Sequence, residues 1–74
     1  MILYRLTVCA YTEDFRETRY CATYEDALYL AFNEYFDALV EQYGCKDLED
    51  LNDVLHWREE GMVQIEKIEV FSRN

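Results

Sequence analysis

The start of this 74-residue chain repeats with a period of two and its end reads as a further strand, whereas its middle repeats with the period of a helix, and that order leaves few folds open. In residues 2 to 11, Ile2, Tyr4, Leu6, Val8 and Ala10 alternate with Leu3, Arg5, Thr7, Cys9 and Tyr11, the pattern of a half-buried strand. The polar Thr12, Glu13 and Asp14 make a turn, and the aromatic and β-branched residues of FRETRYCA bring the chain back as a hairpin. At the other end MVQIEKIEVF reads as a third strand. Val63 and Ile65 fall out of phase there with Ile68 and Val70, which predicts either a bulge near Glu66 and Lys67 or apolar contacts on both faces.

Between the strands, Thr23 is placed to cap a helix whose first turn carries Glu25 and Asp26, where exposed amides and the helix dipole favour carboxylates. Leu28, Ala31, Phe32, Tyr35, Phe36, Leu39 and Tyr43 form one broad apolar arc, and Gly44 follows as a left-handed cap, so the pattern predicts a helix over 24–43. Asp47 caps a second helix with Leu48, Leu51, Val54 and Leu55 inward and Gly61 at its end. The expectation is a single α+β domain over 1–74, two-layered, β-β-α-α-β, with a three-stranded antiparallel-type sheet and two helices on one face. Such a short domain buries only about 60% of its unfolded surface. Abundant aromatics, no Pro and two Gly nonetheless mark it as globular.

Charge is divided unevenly. Between Glu25 and Glu60 eleven acids face two bases, a balance of −9, and the remaining segments hold five of each, so the entire net charge belongs to the helical layer. Helix caps and solubility favour acids. A surface built only for solubility mixes signs, however, and here the i,i+4 bases that support an exposed helix are missing. On the second helix Glu49, Asp53 and Glu60 fall opposite Leu51, with His56 beside them and Trp57 on the flank near Asp50. On the first, Asp26, Asp37 and Glu41 surround Leu30, which points away from the apolar arc. An aromatic anchor rimmed by carboxylates suits a basic partner. The fourteen residues from Asp47 to Glu60 carry six carboxylates, one per ~3.5 Å at a rise of ~1.5 Å per residue. A nucleic-acid single strand carries one charge per ~3.4 Å and a duplex one per ~1.7 Å, so one helix approaches the density of a single strand. The candidate partner-binding residues are therefore Glu49, Asp50, Asp53, Trp57 and Glu60, with Asp26, Asp37 and Glu41 in support.

Other chemistries find little. His56 stands on a solvent-facing helix, and Cys45, although next to Lys46, has no His or Asn placed to complete a site, so no catalytic residue is expected and the chain reads as a non-enzyme. The calcium-loop pattern is absent, and no metal or cofactor is expected. Cys9, Cys21 and Cys45 form neither CxxC nor Cys/His spacing and read as reduced thiols. The apolar start MILYRLTVCA is too short to span a bilayer, has Arg5 within it and no basic segment before it, which predicts a cytoplasmic protein without membrane contact. Direct nucleic-acid binding has the wrong electrostatic sign. If the helices cover one sheet face, Leu3, Cys9, Tyr11, Phe15 and Cys21 share the other with Arg5, Glu17 and Arg19, a candidate homodimer surface.

A short, acidic, single-domain chain of strands and helices without cofactor motifs resembles the phage-encoded anti-CRISPR proteins, over its whole length, in size, composition and architecture. The resemblance implies an inhibitor acting inside a bacterial host cell, occluding the basic nucleic-acid-binding surface of a host defence nuclease such as a CRISPR effector. The alternative is a small homo-oligomeric accessory or antitoxin-like interaction protein without nucleic-acid mimicry.

Overall fold

In the computed structural model, which describes residues 1–70, the chain is a three-stranded antiparallel sheet with helices on one face. The strands are β1 (Ile2–Ala10), β2 (Phe15–Cys21) and β3 (Gly61–Glu69), in spatial order β2-β1-β3. Between β1 and β2 lies a single 3-10 turn, Tyr11–Glu13, closed by Asp14 in the left-handed region at φ 50°, a conformation that Asp tolerates. The helices are α1 (Tyr24–Leu30), α2 (Asp37–Tyr43) and α3 (Leu48–Arg58).

The expected helix over 24–43 is therefore two helices. Ala31–Tyr35 is a π turn, in which the Phe36 amide donates to the Ala31 carbonyl at 3.0 Å, and Phe36 itself leaves helical geometry at φ −130° and ψ 31°. One extra residue in a turn rotates everything after it around the axis. The buried face differs from the expected arc as a result: Ala27 and Ala31 are fully buried, and Leu30 and Val40 pack against the core alongside Phe32, Tyr35, Phe36 and Leu39, whereas Leu28 and Tyr43 do not join it. Leu30 thus does not point away from the core as its helical angle predicts.

The strand register is continuous from Ile2↔Glu69 to Ala10↔Gly61, with no bulge. Apolar contacts occur on both faces instead: Val63 and Ile65 face the helices opposite Val8 and Leu6, while Ile68 sits on the open face opposite Leu3. Phe71, the last residue of the expected strand, lies outside the described residues. Pairing of β2 overturns half of the expected open face. Phe15, Glu17, Arg19 and Cys21 are opposite Ala10, Val8, Leu6 and Tyr4, so they share the helix side, and Cys21 is buried there. Leu3, Arg5, Thr7 and Cys9 occupy the open side with Thr18, Tyr20, Met62, Gln64, Glu66 and Ile68.

The core comprises Leu6, Val8, Cys21, Ala27, Ala31, Leu51, Leu55 and Val63. A fully buried leucine such as Leu51 or Leu55 contributes about 2 kcal/mol of transfer free energy. Those two residues fix the rotation of α3 and so decide which of its carboxylates meet solvent.

Candidate partner-binding surface

The start of α3 is set by two aspartates. Asp47, in extended backbone, accepts the Asp50 amide at 2.8 Å, and the Asp50 carboxylate accepts the Lys46 amide at 3.0 Å. The first bond satisfies an amide that the helix start leaves without a partner and the second ties down the residue before the cap, so half-buried Asp50 has an internal role that its charge does not advertise. With Leu51 and Leu55 inward, Glu49 and Asp53 are exposed.

The end of α3 differs from expectation. The cap is Glu59, in left-handed backbone at φ 53°, and not Gly61, whose place in β3 has another cause: a Cβ there would run into the Cys9 carbonyl oxygen. Glu60 consequently lies in the turn beyond the helix and is not on its solvent face. Its carboxylate pairs with Arg58 at 2.6 Å, and Arg58 also donates to the Tyr43 hydroxyl at 2.6 Å and stands over the Tyr43 ring, 5.8 Å from its centre. The Glu60 hydrogen bond holds the Arg58 guanidinium more firmly charged than usual. Trp57, 74% exposed, meets Tyr43 edge to face with centroids 6.4 Å apart. The C-terminal turns of α2 and α3 are thereby joined by an aromatic pair and one arginine. Sequence reading missed Tyr43 and Arg58, because the link depends on how two helices cross.

On the other helices, Asp26 stands in the first turn of α1, where its amide donates to the Thr23 hydroxyl at 3.1 Å, and Asp37 stands in the first turn of α2. Glu41 is exposed on α2. The π turn separates Asp26 from the other two, so these three do not form the single cluster expected around Leu30. Asp37 instead shares a shallow cleft with Glu60 and with Glu13 of the hairpin turn, a residue that sequence distance hides. Within the described residues the ion pairs are Arg5–Glu66, Arg19–Glu17 and Arg58–Glu60, and none engages Asp26, Asp37, Glu41, Glu49, Asp50 or Asp53.

Burial raises the Cys45 thiol above its ordinary range, and the charges of Asp50 and Asp47 raise it further, against the thiolate that neighbouring Lys46 would favour. No group of three or more His, Cys, Asp or Glu side chains placed to hold a metal occurs among the described residues, and none of their helices is long and apolar enough to cross a membrane. Comparison with protein-family models, curated proteins and solved structures returned no match.

Proposed function

We propose that this chain is a small acidic inhibitor that binds and occludes the basic nucleic-acid-binding surface of a host defence nuclease complex, in the manner of the anti-CRISPR proteins. One observation carries the reading: six carboxylates of the helical layer, Asp26, Asp37, Glu41, Glu49, Asp50 and Asp53, have no ion-pair partner among the described residues. Their mutual repulsion is relieved by a partner that supplies Lys and Arg. Exposed Trp57, braced by Tyr43, adds the rigid apolar contact typical of interface hot spots. Glu60 contributes less than its charge implies, since Arg58 already occupies it.

The test is capture of partners from bacterial lysate at low and high salt, comparing wild type with a Glu41→Gln/Glu49→Gln/Asp53→Asn variant that leaves the capping Asp47 and Asp50 and the paired Glu60 intact. The expected result is a basic nucleic-acid enzyme held by wild type, released by salt or by its own nucleic acid, and lost with the variant. Retention of the same proteins by wild type and variant at both salt concentrations overturns the assignment.

A further inference from the structure

Antiparallel strands direct the amide and carbonyl of one residue to one side and those of the next residue to the other. Three sets of bonds fix which side is which here. Met1 and Val70 exchange backbone bonds at 2.8 and 3.2 Å, the Tyr11 amide donates to Glu60 at 2.8 Å, and both backbone groups of Val63 are taken by Asn52 and not by β1. The odd-numbered residues of β1 therefore bond β3, and Tyr4, Leu6, Val8 and Ala10 bond Cys21, Arg19, Glu17 and Phe15. It follows that Arg16, Thr18 and Tyr20 turn their amides and carbonyls off the edge of the sheet. No hydrogen bond among the described residues reaches those groups.

The two edges differ. The β3 edge is closed at Val63 by the Asn52 side chain and is open only beyond it, at Ile65, Lys67 and Glu69. The β2 edge has no such cover: Phe15 is 39% exposed and Tyr20 61%.

We propose that the β2 edge is a homodimer interface, in which two copies pair β2 with β2 antiparallel about a two-fold axis at Thr18 and continue into one six-stranded sheet. The occupant is a second copy because the strand is complementary to itself in this register. Thr18 lies opposite Thr18, Arg16 opposite Tyr20, and Glu17 opposite Arg19, so each dimer exchanges the long 3.9 Å Glu17–Arg19 contact within each chain for two cross-strand ion pairs and gains two arginine–tyrosine contacts. Sliding two residues either way sets Glu17 against Glu17 or Arg19 against Arg19, which is repulsive. The register is thus specified by charge as well as by backbone. Both helical layers lie on the same side of the joined sheet, and half-exposed Phe15 is brought opposite Cys21 of the second copy.

Sedimentation equilibrium of the full chain from micromolar to millimolar concentration tests this. The wild-type mass is expected to rise towards two chains. Thr18→Pro stays at one chain with unchanged circular dichroism, because the amide it removes makes no bond within the sheet and proline is tolerated on an edge. Glu17→Arg and Arg19→Glu each weaken association roughly tenfold, whereas an equimolar mixture of the two regains wild-type affinity, since each chain then supplies the charge the other needs. Should Thr18→Pro fail to fold, the mixture decides. A wild-type mass of one chain at millimolar concentration, or a dimer that survives both the proline and the charge replacements, overturns the proposal, the latter placing the contact elsewhere, on another segment or on the open sheet face.

Discussion

Asn52 sits within α3, where a short amide is a weak helix former, yet both ends of its side chain are used: Nδ2 donates to the Val63 carbonyl at 2.7 Å and Oδ1 accepts the Val63 amide at 2.9 Å. This pair joins the helix to the sheet and closes one stretch of edge. Asn52→Leu keeps the branched outline of the side chain but leaves two partly buried backbone groups without partners, and is expected to cost about 1–3 kcal/mol in urea unfolding. Cys45 makes a second prediction at this scale. Burial, then Asp50 and Asp47, disfavour its thiolate, so its pKa rises. Alkylation followed peptide by peptide by mass spectrometry is expected to show a pH midpoint above that of an ordinary thiol, despite Lys46. The linked stability has the matching sign: it is present below the unfolded thiol's pKa and lost as pH rises through the folded value.

At the scale of elements, local signals carried far and non-local ones did not. Thr23 and Asp47 cap α1 and α3, and Gly44 ends α2 in left-handed backbone at φ 64°, as their side-chain chemistry requires. The hairpin follows from the alternation of residues 2 to 11, the polar turn and the aromatic and β-branched residues after it, and the third strand was legible although its alternation breaks phase. The π turn was not legible, because a fixed angle per residue cannot anticipate an inserted one, and the same error sent Leu30 outwards. Glu60 was misplaced because Gly61 looked like a helix terminator, although a close approach of backbones at Cys9 requires it. Within the candidate surface the exposed Glu49, Asp53 and Trp57 could be read from the inward Leu51 and Leu55, whereas the Arg58–Tyr43 brace could not. Gly61→Ala must push β3 from β1 at the point where α3 returns to the sheet. It is expected to destabilise by about 1–3 kcal/mol, seen as a lowered Tm, without changing the charge of the helical layer.

For the whole molecule, folding gathers a charge of −9 into one layer, and the exposed carboxylates of that layer find no cation among the described residues. Compaction therefore works against self-repulsion. At ~0.1 M salt the screening length is ~10 Å, comparable to spacings across a helix, so added salt relieves the strain. The urea midpoint of wild type is expected to rise between low and physiological ionic strength. Asp53→Asn removes one of the repelling charges without touching a cap, an ion pair or the first turn of α3, where the helix dipole favours Glu49. It is expected to stabilise by a few tenths of a kcal/mol at low salt and to flatten the salt dependence. These two readouts describe the free chain only, and binding supplies the other half of the argument. A face kept acidic for a basic partner loses affinity with the same variant that gains stability, so the two measurements move in opposite directions. A face kept acidic for solvation gains the stability and loses no binding, and that outcome, measured on the partner captured by wild type, removes the inhibitory role from α3.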